Sequence, residues 1–240
     1  MTLVKRLLVA ALNGGRNAYV GVPQAPDELA ADAASVVAAG ATEVHIHPRR
    51  PSGCESLDPD DVAAAVEAVT AAVPGIPVSV TTGAWIEADP RRRLALVSHW
   101  RVFPTYASVN AHEDGALEVA QLLRERGVGV EVGLMTPTAA ELFIRSPLAK
   151  LATRVLIEPV DRPTDLAVDD AGKILRLLDR YSVDLPRILH GDGVNTWPVL
   201  RRARQLGLGM RIGFEDTLDL PDGSAAPHNV ALLQAALAVR

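Results

Sequence analysis

The chain has 240 residues, of which 48% are hydrophobic and 22% are charged, and its net charge is −5 at pH 7. This length and apolar content suit one α/β barrel domain spanning 1–240 with a sizeable core. The negative net charge gives no general electrostatic basis for binding nucleic acid or an anionic membrane, so we expect neither as a partner. The single cysteine, Cys54, excludes an intramolecular disulfide.

The N-terminal apolar run within 1–11 superficially suggests a signal peptide. It passes into Asn13-Gly14-Gly15 with no small-residue cleavage site, and it is too short to span a membrane. We therefore interpret it as a buried first strand and expect a cytoplasmic protein.

Short runs rich in Val, Ile and Leu alternate along the chain with amphipathic segments rich in Ala and Leu. The short runs predict strands over 6–12, 43–47, 77–81, 106–110, 129–134, 154–158, 187–190 and 210–214. The segments between them predict helices over 27–39, 59–72, 90–98, 115–126, 137–145, 165–180, 196–206 and 228–238. Asp58 before Pro59 is a typical helix start, and Gly40 is a typical helix end.

Eight strands that alternate with eight helices predict a parallel sheet, because every crossover is helical. The main alternative to a closed barrel is an open, doubly wound sheet. No predicted strand is followed by a G-x-G-x-x-G or a P-loop signature, and eight regular βα units favour closure. We therefore predict an α/β fold consisting of a single (β/α)₈ TIM barrel.

The active site of a βα barrel lies at the carboxyl ends of its strands. Polar side chains are predicted at these ends: Asn13, His45, His47, Thr81, Thr82, Ser108, Asn110, Glu131, Glu158, His190, Asp192, Arg211, Glu215 and Asp216. Such a cluster of ionisable groups at one mouth is typical of catalysis and argues against a non-enzymatic metabolite-binding barrel.

His45 and His47 lie two residues apart on one predicted strand, so their side chains project from the same face and can converge on one metal ion. Closure of the barrel brings the end of the eighth strand close to the second, which makes Glu215 a plausible third ligand. Two histidines and a carboxylate leave one position open, as is typical of catalytic zinc. The structural alternative is a pair of packed histidines and a glutamate paired with an arginine.

Several segments resemble the motif set of the β-keto acid cleavage enzymes: LNG (12–14), VHIHPR (44–49), TTG (81–83), ASVN (107–110) and RIGFED (211–216). The pairing of H-x-H-x-R with R-x-G-x-E-D is the specific part, and the resemblance covers essentially the whole chain. It implies a zinc enzyme that uses acetyl-CoA as co-substrate. The β-keto acid is deprotonated at C2 and attacks the acetyl thioester; acetoacetate and a new acyl-CoA result.

The resemblance also implies residue roles. It assigns the zinc ion to His45, His47 and Glu215. It makes Asp216, assisted by Arg211, the group that deprotonates the substrate, although an ordinary ion pair is the alternative for these two. Hydroxyl groups that contact the keto acid's carboxylate region match Thr81 and Ser108. From their positions near strand ends we expect further substrate contacts from Asn13, Thr82, Gly83, Asn110 and Glu131.

The chain departs from the family pattern after the first strand. The founding member, which acts on 3-keto-5-aminohexanoate, has a glutamate there that receives the substrate's amino group, whereas Arg16 takes that position here. An arginine repels an ammonium group, so we expect a substrate whose distal end is neutral or a second carboxylate, unless Arg16 points to solvent.

The loops after the first and sixth strands also look shortened. The alternative function is a metal-dependent aldolase or hydrolase that works without CoA. Relatives imply a homodimer or homotetramer.

Overall fold

The computed structural model describes residues 7–16, 19, 21–160 and 162–239. Within these residues eight parallel strands follow one another around a closed sheet. The strands are β1 (Leu8–Ala11), β2 (Glu43–Ile46), β3 (Val78–Thr81), β4 (Tyr106–Asn110), β5 (Gly129–Leu134), β6 (Arg154–Ile157), β7 (Arg187–Leu189) and β8 (Gly209–Ile212).

Closure of the sheet depends on the pairing of the first strand with the last. Val9 of β1 pairs with Arg211 of β8 in parallel register on one side and with Glu43 of β2 on the other. This pairing excludes the open sheet and confirms the predicted (β/α)₈ barrel. It also brings the ends of β8 and β2 to either side of β1, where the predicted metal ligands lie.

The helices of the described residues follow the predicted order: α1 (Pro26–Ala38), α2 (Pro59–Ala72), α3 (Pro90–Ser98), α4 (Ala116–Glu125), α5 (Pro137–Arg145), α6 (Leu148–Leu151), α7 (Thr164–Arg180), α8 (Thr196–Leu206) and α9 (Asn229–Ala238). The Asp58 carboxylate accepts a hydrogen bond from the Asp60 amide and caps α2 as predicted. The one-turn helix α6 was not predicted, and the start of the first predicted strand, residue 6, lies outside the described residues. None of the helices described is both long and apolar enough to cross a membrane.

The amino end of the barrel interior is filled by a buried ion network. Arg154 of β6 lies 2.5 Å from the carboxylate of Glu43 on β2, and its Nε donates to Glu131 of β5 at 2.6 Å. Because β2 is not a neighbour of β6, the contact between Arg154 and Glu43 crosses the interior, whereas Glu131 lies beside Arg154 on the adjacent strand. The Arg154 guanidinium also lies 4.0 Å from the ring centroid of Tyr106. The carboxyl end of the barrel is therefore left for the site.

Candidate metal and active site

Three potential metal ligands meet at the carboxyl end of the barrel. His45 lies in β2, His47 directly follows it, and Glu215 follows β8. The two Nε2 atoms are 3.1 Å apart, and the Glu215 carboxylate oxygens lie 3.6 Å from Nε2 of His45 and 3.3 Å from Nε2 of His47. Ligands about 2.0–2.1 Å from a tetrahedral zinc ion are separated by roughly 3.3 Å. The three side chains therefore fit around one metal ion.

Burial and charge set the protonation of these ligands. Burial of the His45 imidazole disfavours its cation and lowers its pKa to about 3, so this ring is neutral. Burial acts the same way on His47, but the carboxylates of Glu215 and Glu55 outweigh it and raise the His47 pKa to about 9. Burial opposes ionisation of Glu215, yet Arg211 and His47 hold its pKa well below its usual range. The metal-free triad therefore holds one proton between His47 and Glu215.

Two loop residues that sequence reasoning missed support His47. Glu55 Oε1 lies 2.5 Å from Nδ1 of His47, and the indole Nε1 of Trp85 donates to the same carboxylate at 3.1 Å. The Trp85 ring stacks on the imidazole, with 6.1 Å between centroids. A carboxylate on the second nitrogen of a ligating histidine orients the ring and raises its basicity. Neither Glu55 nor Trp85 belongs to a periodic sequence pattern from which its role could have been predicted.

Metal binding at pH 6.0 is expected to release about one proton per Zn²⁺, because His47 must lose its proton while His45 is already neutral. Two histidines with an ordinary pKa near 6.5 would together release about 1.5 protons. Calorimetric titration in buffers of different ionisation enthalpy measures this number. The matched variant Glu55→Gln keeps all three ligands but lowers the His47 pKa, so at pH 8.0, close to the wild-type His47 pKa of about 9, it should release fewer protons than the wild type. Equal release by both proteins would contradict the assignment.

Arg211 and Asp216 form a buried pair beside the triad. Arg211 Nη2 donates to Asp216 Oδ1 at 2.7 Å and to Glu215 Oε1 at 3.0 Å. Burial disfavours the guanidinium charge, but the Asp216 and Glu215 carboxylates outweigh this effect and raise the pKa of Arg211. Within the part of the chain that the structure describes, Asp216 Oδ2 is buried and has no hydrogen-bond partner. One carboxylate oxygen is therefore held while the other is available to a ligand.

His190 lies between two carboxylates on the other side of Asp216. Its Nδ1 is 3.4 Å from Asp216 Oδ1, and its Nε2 is 3.2 Å from Glu158 Oε2. Burial and Arg211 disfavour the imidazolium, but Asp216 and Glu158 outweigh them and raise the His190 pKa. The sequence analysis placed His190 and Glu158 at strand ends but gave them no role in the site. Their polar character at a buried strand end was the signal that could have identified them.

These groups open onto a cavity of about 170 Å³. Three of the predicted substrate-binding residues lie on its wall, and its lining consists of His45, His47, Thr81, Trp85, Ser108, Asn110, Met135, Leu156, Glu158, Val160, His190, Asp192, Arg211, Glu215 and Asp216. Cationic, anionic and apolar groups therefore face one small space, which is typical of a site that binds and orients a small polar substrate.

The other predicted substrate-binding residues are not among the lining residues of this cavity: Asn13, Arg16, Thr82, Gly83 and Glu131. The Asn13 amide donates to the backbone carbonyl of His47 and accepts from its amide N–H, both at 2.9 Å, so it holds the β2 end in place. The Thr82 hydroxyl donates to the Ser108 carbonyl at 2.6 Å. In these positions the Asn13 amide supports the end of β2, and the Thr82 hydroxyl supports β4.

Arg16, Gly83 and Glu131 also lie outside the lining of this cavity. Arg16 Nε donates to the backbone carbonyl of Glu215 at 3.3 Å, so the argument from this residue about the substrate's distal charge has no support in the cavity. The Gly83 amide donates to the Thr81 hydroxyl at 3.1 Å. Glu131 belongs to the ion network inside the barrel, because its carboxylate pairs with Arg154. Position at the end of a strand, read from the sequence, did not distinguish the residues that line the cavity from those that lie behind its wall.

Gly14→Ala is expected to weaken Zn²⁺ binding. Gly14 has φ +54, and a Cβ there would lie 2.8 Å from Cβ of Glu215, so the side chain would push the carboxylate ligand aside. Gly53→Ala is the matched control, because Gly53 has φ +86 but no described atom lies within 4 Å of its Cβ position. Competition with a chelator measures the affinity. An equal loss in both variants would attribute the effect to backbone strain alone.

Comparison with known proteins identifies one matching family and several solved structures with a similar fold. The family model described as beta-keto acid cleavage enzyme matches residues 5–146 and 174–239. The apo structure of ObcA has a TM-score of 0.70 at 18% identity, covering 90% of this chain and 61% of that chain. The ternary complex of ObcA with a C4-CoA adduct and oxalate has a TM-score of 0.72 at 17% identity, covering 90% and 62%.

A third similar structure is the 3-dehydroquinate dehydratase from Aquifex aeolicus VF5. Its TM-score is 0.58 at 13% identity, and the match covers 98% of this chain and 97% of that chain. At these identities the solved structures establish the shared barrel fold. The chain spans less than two thirds of the length of ObcA.

Proposed function

The chain belongs to the β-keto acid cleavage enzyme family, and from this premise we propose that it cleaves a β-keto acid with acetyl-CoA as co-substrate, forming acetoacetate and a new acyl-CoA. The observation that carries the proposal is the convergence of the His45, His47 and Glu215 ligand set with the Arg211–Asp216 pair on one cavity. An oriented carboxylate can form an enolate by removing a proton, and a metal ion held by the ligand set can stabilise it.

The donor set fits zinc. Two imidazoles and a carboxylate are ligands that catalytic zinc takes, and the separations of their donor atoms suit tetrahedral geometry. Among the described residues, Glu215 Oε2 is buried without a hydrogen-bond partner, which is the state expected of an atom that awaits a cation. When bound, zinc supplies a Lewis acid that polarises the keto oxygen of the substrate.

In this proposal the Asp216 carboxylate takes the proton from C2 of the keto acid. Its Oδ1 is held by Arg211, and its buried Oδ2 is the atom that accepts the proton. Arg211 is itself held by Glu215, so the base and a metal ligand share one positioning group. This shared group links the proton acceptor to the ligand set, which supports general base catalysis, because the base must lie within hydrogen-bond reach of the proton that it removes.

Three uncharged side chains on the cavity wall can hold the keto acid's carboxylate. The hydroxyls of Thr81 and Ser108 and the amide of Asn110 offer hydrogen-bond donors without adding charge. They lie on the β3–β4 side of the cavity, opposite Arg211 of β8 and Asp216, which follows β8. Binding of the substrate carboxylate there would direct the rest of the keto acid towards the metal ligands and the base.

A coupled assay with acetyl-CoA tests the proposal, using a panel of β-keto acids with cationic, neutral and dianionic distal groups. We expect acetoacetate from one class of substrate and none from His45→Ala. The matched control His99→Ala removes a histidine outside the cavity and should keep full activity. If no keto acid yields acetoacetate while Zn²⁺ still binds, the CoA-independent aldolase or hydrolase replaces this proposal.

We also propose a homodimer or homotetramer, the assembly that the family resemblance implies. Light scattering on the purified protein measures the mass directly. A monomer at assay concentration would contradict this part of the proposal and leave the reaction untouched.

A further inference from the structure

A buried hydrogen-bond chain leads away from the metal site into the barrel. Nδ1 of His45 lies 3.0 Å from Oγ of Ser79 on β3, and the Ser79 hydroxyl donates to Oε2 of Glu131 on β5. All three side chains are at least nine-tenths buried. These hydrogen bonds therefore connect a proposed metal ligand, His45, with the carboxylate of Glu131, which lies outside the cavity.

The direction of each hydrogen bond in this chain is set by Glu131. Its carboxylate is paired with the Arg154 cation and only accepts hydrogen bonds, so the Ser79 hydroxyl hydrogen is committed to it. The Ser79 oxygen is then left as an acceptor towards His45. An acceptor at 3.0 Å from Nδ1 requires the imidazole hydrogen to be on that nitrogen.

We propose that Glu131, acting through Ser79, is a positioning residue that fixes the tautomer of His45 with its hydrogen on Nδ1 and its Nε2 lone pair directed at the metal. This inference rests on the proposed metal-dependent function. It fits the site, because Nε2 of His45 faces the other donors, 3.1 Å from His47 Nε2 and 3.6 Å from Glu215 Oε2.

The two histidines are thus supported in different ways. His47 contacts the Glu55 carboxylate directly, whereas a neutral hydroxyl separates His45 from Glu131. The direct carboxylate orients the His47 ring, and Glu215 and Glu55 together raise the pKa of His47. The hydroxyl relay orients the His45 ring without placing an anion directly against it, and burial keeps this ring neutral.

Glu131→Gln is expected to reverse the direction of the hydrogen bonds that link this position with Ser79 and His45. A glutamine amide can donate to Ser79, which frees the hydroxyl to donate to Nδ1 of His45 and moves the imidazole hydrogen to Nε2, where it opposes the metal. We expect the affinity for Zn²⁺, measured by competition with a chelator, to fall about 10–100-fold. Ser79→Ala removes the relay without touching the ion network and should reduce affinity in the same direction.

Glu43→Gln is the matched control. It makes the same chemical change in the same buried network, since Glu43 also pairs with Arg154. Among the described hydrogen bonds, however, the Ser79 hydroxyl donates to Glu131 and not to Glu43. Its Zn²⁺ affinity should stay within about threefold of the wild type. A loss as large as that of Glu131→Gln, or an unchanged affinity in Glu131→Gln, would overturn the proposal.

Nitrogen-15 NMR of metal-free, histidine-labelled protein gives a readout that does not depend on activity. The wild type should show His45 with hydrogen on Nδ1, and Glu131→Gln should shift hydrogen to Nε2. An Nε2–H tautomer in the wild type, or an unchanged tautomer in the variant, would overturn the inference. If the wild type binds no Zn²⁺, the metal-dependent function fails, while this tautomer measurement still decides the role of Glu131.

Discussion

Asp216→Asn is expected to lower kcat/KM for β-keto acid cleavage by about 10²–10⁴-fold, because the amide cannot accept the C2 proton at the Oδ2 position, where none of the described residues offers a hydrogen bond. The side chain keeps its shape and its contact with Arg211 through the remaining oxygen. The affinity for Zn²⁺ should therefore change little, since the three ligand atoms are untouched. Steady-state kinetics with acetyl-CoA and the preferred keto acid measures the loss.

Asp222→Asn is the matched control for this loss. Asp222 is exposed in the segment that follows β8, and its carboxylate accepts from Ser224. The same chemical change there should leave kcat/KM within about twofold of the wild type. Near-normal turnover by Asp216→Asn would reject Asp216 as the base and leave it as the partner that holds Arg211.

Arg154→Met is expected to reduce the free energy of unfolding by about 3–5 kcal/mol, the typical result when one partner of a buried ion pair is removed. The methionine fills part of the space, but the carboxylates of Glu43 and Glu131 are left buried without their cation. The favourable contact with the Tyr106 ring is lost as well. Chemical denaturation monitored by circular dichroism measures the change.

Arg101→Met provides the comparison for this effect. Arg101 also pairs with a carboxylate, that of Asp60, but the two side chains are 68% and 80% exposed. Water and salt screen such a pair, so the expected loss is below about 1 kcal/mol. If both substitutions cost the same, the network inside the barrel contributes no more than a surface pair does.

The sequence predicted the order of the strands and main helices because their signals are local. The strand predictions at 106–110 and 129–134 match β4 and β5 in both bounds, and the helix prediction at 59–72 matches α2, whose Asp58 cap and Pro59 start are readable in the letters. Closure of the barrel was an inference from the regular alternation. The β1–β8 pairing supplies its physical basis.

The candidate metal ligand set could also be predicted, because two of its members lie close together on one strand. His45 and His47 share a face by the alternation of side chains, and barrel closure brings Glu215 to them. Arg211 and Asp216 came with the R-x-G-x-E-D motif, since they lie on the same segment as Glu215. Short separation along the chain made each of these contacts accessible to sequence reasoning.

The sequence by itself thus determined the fold and predicted the candidate metal ligands and base, whereas the tertiary structure decided which polar residues face the cavity and which lie behind its wall. Glu131 stands in the sequence as one more strand-end carboxylate, but its partners are Ser79, 52 residues away, and Arg154. Arg154 in turn reaches Glu43, 111 residues away. A side chain inside a barrel meets whichever strands face it, and that depends on the register of the closed sheet, which no local pattern encodes.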